Sequence, residues 1–256
     1  MDEFPQLSAV VLCYGAQEAL CDLAEPLQAA LEARDESYEL ILVANYWPGR
    51  GDRTPDVAAA FARERPHVRV VARPKAGAMG WDLRSGLEIA RGDCLVYLDG
   101  DGQVPPESAL TVADALRERG ADVAKGRRQP REDGSIRTFT SFGYNALFRL
   151  LFGTRGLWDI NGQPKALTRA AYEHLDLRTD DWFTDAEIVL KAKALGLRIV
   201  EVPVRFGPRR SPGSNVGLGT VWEFVANMVR WRLGIHPARE LRSRSAAPRA
   251  PARAGR

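Results

Sequence analysis

Apolar and polar positions along the chain fall into two alternating rhythms. Short aliphatic and β-branched runs at 8–13, 39–44, 68–72, 94–98 and 123–126 have the length and content of buried strands. Between them lie stretches with helical spacing. The first spans 17–33, with Pro26 set to kink or split it. The second spans 55–65 and opens on Pro55, a favourable first-turn residue. The third follows the glycine-bearing loop 74–80, runs to Ala90 and stops at Gly92, and the fourth runs from Pro105-Pro106 to Arg119. Strands alternating with helices through this half predict an α/β fold: a mostly parallel sheet with helices on both faces.

The second half has a different pattern. An apolar helix is expected at 139–152, with Phe139, Phe142, Tyr144, Phe148 and Phe152. A short strand follows at 163–167, a helix at 185–195, and a strand at 198–206 with Pro203 at an edge position. A last helix spans 217–233, with Trp222 and Trp231 among its apolar residues and Arg230 and Arg232 near its end. From 238 onward the Ala/Arg/Pro/Ser stretch has no periodicity and is expected to be disordered. The organisation is therefore one domain over 1–237, in halves 1–126 and 127–237, with a basic tail at 238–256.

Charge and cysteine content narrow the function classes. The formal net charge is +3, but six Arg and one Glu from Ala238 onward contribute +5, so the body carries 3 − 5 = −2. A slightly acidic body argues against nucleic acid as a partner. The opening Met1-Asp2-Glu3-Phe4-Pro5 is no signal peptide, and no apolar run is long enough to span a bilayer. Three cysteines, Cys13, Cys21 and Cys94, form no C-x-x-C pair and fit a reducing, cytoplasmic compartment. His67, His174 and His236 are scattered and are expected on the surface or in loops.

The chemistry concentrates at Leu-Val-Tyr-Leu-Asp-Gly-Asp-Gly-Gln, residues 95–103. A buried strand ends there in two carboxylates, Asp99 and Asp101, and Gly100 and Gly102 permit a turn that brings them together. Open α/β sheets bind ligands at this carboxyl edge. Hard oxygen donors without His or Cys suit Mg2+ or Mn2+ bridging substrate phosphates. A plain tight turn uses the same residues, so the motif alone leaves both readings open.

Further segments, taken in order, extend that motif. They are residues 9–14, Arg84-Ser85-Gly86-Leu87, Ala90-Arg91-Gly92-Asp93, Leu98 to Gln103 with Pro105-Pro106-Glu107, and Gly126-Arg127-Arg128. Arg137 with Ser141, residues 159–165, and Glu201-Val202-Pro203-Val204 leading to Arg210 complete the set. Together, over about residues 8–215, they resemble the inverting family 2 glycosyltransferases of the three-layer GT-A fold. The most similar branch contains the dolichyl- and polyprenyl-phosphate sugar transferases. The resemblance implies a nucleotide-diphosphate sugar donor bound by the first half and an acceptor, favoured as a polyprenyl phosphate, bound by the second.

Carried over by position, Asp99, Asp101 and Gln103 hold the divalent cation and the donor diphosphate. Tyr14, Ala44, Asn45, Gly80 and Arg84, with Asp99, line the donor site. Arg128, Arg137 and Arg210 correspond to arginines that grip phosphates, a task suited to the guanidinium fork, although each alone also reads as a surface ion pair. Asp185 and Glu187 correspond to an acidic pair on the acceptor side, with Asp185 favoured. A hydroxyl acceptor requires one of them as general base, whereas an ionised phosphate requires none. Both also read as carboxylates complementing a helix N-terminus.

Departures from the family pattern cluster at the nucleoside end. Gly15-Ala16 stands where Asn-Glu is usual, Ala44-Asn45 where two aspartates are usual, and Met79 where a lysine is usual, with Lys75 nearby. Ser214-Asn215 stands where a lysine usually follows Arg210 and Gly213. These losses keep open a catalytically silent nucleotide-sugar-binding protein. A nicotinamide dehydrogenase lacks its G-x-G-x-x-G turn after the first strand. An Asp-nucleophile phosphatase carries its motif on the opening strand and Thr where Gln103 stands. The apolar helices at 139–152 and 217–233 and the basic tail suggest peripheral attachment at the cytoplasmic face of a membrane.

Overall fold

The computed structural model describes residues 4–129, 136–154, 156–207 and 218–240. Among these the strands are β1 (Leu7–Leu12), β2 (Tyr38–Val43), β3 (Val68–Val71), β4 (Cys94–Asp99), β5 (Val123–Arg128), β6 (Lys165–Thr168) and β7 (Ile199–Val204). The helices are α1 (Ala19–Glu32), α2 (Thr54–Ala62), α3 (Met79–Ile89), α4 (Glu107–Glu118), α5 (Ile136–Phe152), α6 (Arg169–Leu175), α7 (Thr184–Ala194) and α8 (Leu218–Leu233). The strands form one seven-stranded sheet in the order β3-β2-β1-β4-β6-β5-β7.

Alternation along β1 explains the layering. Ala9 and Val11, with Leu40, Leu42, Val96 and Leu98, face α1, α2 and α4. Val10 and Leu12, with Ile41, Val43, Leu95 and Tyr97, face α3 and α7 on the other side. A third apolar cluster joins Phe148 of α5, Phe183, Ala186 and Val189 around α7, and Met228 and Trp231 of α8. Helix α7 is therefore covered on both sides, and Thr184 to Ala192 are all buried.

The expected parallel sheet is present with one reversal. β1 pairs in parallel with β2 on one side and β4 on the other. β6 runs antiparallel to both β4 and β5, and β7 returns parallel to β5 at the edge, where Pro203 is tolerated. The chain's strand order diverges at β1 and β4, which opens a crevice at their carboxyl ends. Leu12 there is the register partner of Asp99, and the Gly100 N–H donates to the Leu12 carbonyl at 2.9 Å.

Four local expectations need correction or refinement. Pro26 lies inside α1 without splitting it. Helix α6 is too short, at seven residues, to show a helical period in the sequence. His236 lies in the loop after α8, within the expectation, but is buried there, with its ring 5.3 Å from that of Phe183 and 5.2 Å from that of Trp231. Its Nδ1 accepts the Ala238 N–H at 3.2 Å and opens a 3₁₀ turn, Pro237–Arg239, in which Ala238 is buried. The expected tail thus begins beyond this turn, and 241–256 lie outside the described residues.

Gly126 controls how β5 meets the segment entering β6, because a Cβ there would sit 2.2 Å from the Gln163 carbonyl oxygen. Backbone cannot yield cheaply at such a contact. Gly126→Ala is expected to lower unfolding free energy by about 1–3 kcal/mol, as overpacked sites do, measured by urea denaturation. An unchanged midpoint would mean that 159–165 is free to shift.

Candidate active site

The paired carboxylates sit at the crevice. β4 delivers Asp99 at its last position, and the following turn brings back Asp101, whose Oδ1 accepts the Gln103 N–H at 3.0 Å. The Gln103 carbonyl in turn accepts the Gly207 N–H at 2.7 Å, which ties the motif to the chain leaving β7. Burial, then the charges of Asp101 and Asp185, push the Asp99 carboxyl up to about 7, while Lys165 and a hydrogen bond from Gln163 pull it back. No group of three or more acidic, His or Cys side chains is gathered for a metal among the described residues. The donor set fits a hard cation that takes one or two protein carboxylates and completes its shell with phosphate and water.

Asp185 lies within electrostatic reach of Asp99 but is already committed. Its Oδ1 accepts the Tyr97 hydroxyl at 2.8 Å and stands 2.7 Å from the Lys165 ammonium, with both partners fully buried. Glu187 parts company with it. Two positions apart on a helix is a rotation of about 200°, and Glu187 turns to the loop before α7. There it accepts the Arg178 N–H and Thr179 N–H, each at 2.9 Å, and the Thr179 hydroxyl, and it pairs with Lys191 at 2.7 Å. The expected acidic pair is therefore one carboxylate at the site and one that folds a loop.

Arg128 stands at the end of β5, held in a two-point grip by Asp159, with Nε and Nη2 each 2.8 Å from a carboxylate oxygen. Asp159 is itself fixed by its N–H, which donates to Glu201 at 3.1 Å. Arg137 lies on α5, with its side chain outside the described residues, and Arg210 lies outside them altogether.

At the nucleoside end the expectations change most. Ala44 and Asn45 are both 0% exposed, so neither lines a pocket. Asn45 is a brace: its Nδ2 donates to Asp82 and Ser85 at 2.9 and 2.8 Å, and its Oδ1 accepts the Arg73 N–H at 2.9 Å. Lys75 pairs with Asp82 and places its ammonium 4.4 Å from the centre of the Tyr14 ring. Burial pulls this lysine below and this aspartate above their ordinary values. Tyr14 stays half-buried at the mouth of the crevice.

Gly80 and Arg84, expected at the donor, instead join α3 to the loop before α7. The Gly80 N–H donates to the Asp181 carbonyl at 3.0 Å, and a Cβ at Gly80 would sit 2.3 Å from the Thr179 carbonyl. Arg84 pairs with Asp180 and donates to the Arg178 carbonyl at 3.1 Å.

The sequence and the fold are shared with known proteins. Residues 8–174 match the family model described as Glycosyl transferase family 2. The chain belongs to that family. It is 31% identical to the glycosyltransferase AglD of Haloferax volcanii over 72% of this chain, but spans only 30% of AglD's length. It is 30% identical to undecaprenyl-phosphate mannosyltransferase of Micrococcus luteus, covering 71% of this chain and 78% of that protein. Among solved structures it superposes on glucosyl-3-phosphoglycerate synthase of Mycobacterium tuberculosis with a TM-score of 0.68. That match has 18% identity and covers 90% of this chain and 79% of the other. The expected GT-A architecture is thereby borne out, and family membership displaces the dehydrogenase and phosphatase readings.

Sequence reasoning within this family missed the groups that hold the site together, Lys165, Tyr97, Gln163 and Asp159. The resemblance had picked out 159–165 as a segment without roles. A lysine inside a strand was the available signal, because a buried lysine demands a counter-charge.

The like charges around Asp99 give a direct test. At pH 8 and without metal, Asp99→Asn is expected to stabilise the protein by on the order of 1 kcal/mol in urea denaturation. The same substitution is expected to abolish stabilisation by manganese. A destabilised variant would show that the Lys165 and Gln163 contacts outweigh the repulsion.

Proposed function

We propose that this chain moves a sugar from a nucleotide-diphosphate donor to a phosphate acceptor, favoured as a polyprenyl phosphate, with inversion at the anomeric carbon. The observation that carries the acceptor class is that neither candidate base is free. Asp185 is held by Lys165 and Tyr97, and Glu187 by Thr179, Arg178 and Lys191. A hydroxyl acceptor must lose a proton as it attacks, whereas a phosphate arrives ionised and loses none. The acceptor oxygen bonds to the anomeric carbon, the bond to the diphosphate oxygen breaks, and the electron pair leaves with the nucleoside diphosphate. The Micrococcus luteus relative is named for transfer involving undecaprenyl phosphate, which agrees with this acceptor.

Asp99 and Asp101, with Gln103, hold Mg2+ or Mn2+. The cation supplies charge stabilisation for the departing diphosphate. The Mycobacterium tuberculosis structure was obtained with Mn2+ and UDP, in line with this assignment. Arg128, oriented by Asp159, and Arg137 and Arg210 are assigned to phosphate binding, the last two on the acceptor side. Tyr14 provides a ring face for the nucleoside, steadied by Lys75.

Peripheral attachment to the cytoplasmic face of a membrane completes the reading. Along α8 and just past it, Trp222, Val229, Leu233 and Ile235 are exposed, with Trp222 75% accessible. Leu147 and Leu150 are exposed on α5, which packs beside α8 through Tyr144 and Phe224, 5.2 Å between ring centres. Arg230 and Arg232 flank the stripe, as an interfacial helix requires. Among the described residues no helix is long and apolar enough to cross a membrane.

With UDP-glucose or GDP-mannose and manganese, radiolabel is expected to pass to a polyprenyl phosphate and not to the matching polyprenol. Equal transfer to the alcohol would sink the phosphate reading. Separately, the protein is expected to sediment with vesicles containing phosphatidylserine at low salt, and Trp222→Ser with Leu233→Ser to release it. Wild-type protein left in the supernatant would refute membrane attachment without touching the chemistry.

A further inference from the structure

Among the described residues eight buried side-chain polar atoms have no hydrogen-bond partner, and five belong to one neighbourhood. They are Tyr144 Oη, Asn161 Oδ1, Gln163 Oε1, Lys165 Nζ and Thr184 Oγ1. Lys165 is ion-paired by distance to Asp185, but not in hydrogen-bonding geometry. Gln163 is next to Lys165 but one, and is among the groups that act on the Asp99 carboxyl. Thr184 precedes Asp185. The Tyr144 phenol feels the charges of both Asp185 and Asp159, and burial raises its pKa, so it stays protonated. Asn161 lies between Asp159 and Gln163, in a segment pinned to α5 where the Asn145 Oδ1 accepts the Ile160 N–H at 2.9 Å. Native interiors rarely leave polar atoms unpaired, because each forfeits its hydration without return. Several together beside a reactive centre mark a place meant for a polar ligand.

The type of atom says which part of the ligand. Phosphate oxygens only accept hydrogen bonds at neutral pH, so they are served by Arg128 and not by carbonyl groups. The Gln163 NH2 faces the Met79 sulfur, 4.0 Å from it, which leaves the carbonyl oxygen without a partner. Gln163 Oε1 and Asn161 Oδ1 are acceptors, and the Tyr144 hydroxyl both donates and accepts. Acceptors in this arrangement match O–H donors. A polyhydroxylated ring is what offers several O–H groups next to a diphosphate held at Asp99 and Asp101.

We infer that Tyr144, Asn161 and Gln163 form the subsite that reads the hydroxyl groups of the donor sugar. This rests on the glycosyltransferase reading above and assigns sugar selection to residues outside the metal motif. Because the Tyr144 hydroxyl has no partner in the free protein, removing it breaks no contact there and relieves an unreturned loss of hydration. A site built to bond a hydroxyl discriminates strongly once one partner is lost.

The test compares affinities for UDP-glucose against UDP, and GDP-mannose against GDP, by titration calorimetry with manganese on the full chain. Tyr144→Phe is expected to weaken the better-bound nucleotide sugar about tenfold while leaving its diphosphate within about twofold, with an unfolding midpoint no lower than that of the wild type. Asn161→Ala, at a half-exposed position, is expected to show the same split. An equal loss for sugar nucleotide and diphosphate, or no loss for either, overturns the subsite. Wild-type protein that binds neither diphosphate with manganese overturns the donor reading itself, and the subsite with it.

Discussion

Two lysines that never meet water organise the second half of this molecule. Lys125 of β5 and Lys165 of β6 are register partners in the sheet, and both are fully buried. A desolvated ammonium is tolerable only beside a counter-charge, and two of them side by side need two. Glu201 answers Lys125 at 2.9 Å and Asp185 answers Lys165 at 2.7 Å. Burial, and then the neighbouring Lys165, hold Lys125 below its ordinary value. From these pairs the rest follows. Glu201 also collects the Trp158 and Asp159 N–H groups, Asp159 orients Arg128, and Asp185 fixes the start of α7 against Tyr97.

The same pairs shape the electrostatics of the crevice. Among the described residues Asp99, Asp101, Asp159, Asp185 and Glu201 gather around Lys125, Lys165 and Arg128, so five acids meet three cations. The divalent cation proposed at Asp99 and Asp101 would offset that difference. Asp99, the strand's last residue, holds its proton because it is buried and because Asp101 and Asp185 add to that effect.

How much of this the sequence disclosed depended on whether the information was local. β1, β2 and β4 were legible because buried parallel strands read as apolar runs, and Asp99 because a strand that stops in carboxylates marks its own edge. The direction of β6 was not legible, since four residues carry no sign of which neighbour they choose. Helix α7 deceived by composition. Thr-Asp-Ala-Glu-Ile-Val-Leu-Lys-Ala-Lys-Ala looks half-solvated, yet Asp185, Glu187 and Lys191 are buried, with Lys165 beside Asp185, the Arg178 and Thr179 N–H groups on Glu187, and the Asp176 carbonyl on Lys191. Asn45 was placed at the donor by analogy, but its neighbours Asp82 and Ser85 come from a helix 37 and 40 positions away. Only the tertiary fold could turn it inward.

The strap that joins the first turn of α3 to residues 178–181 has a bearing on how such a chain can be recombined. Gly80 touches Thr179 backbone to backbone, and Arg84 clasps Asp180. The two halves of the chain are thus sewn along a seam whose stitches alternate between them. Replacing the chain from 127 onward with that of a relative would leave the seam mismatched unless the opening turns of α3 travelled with the graft.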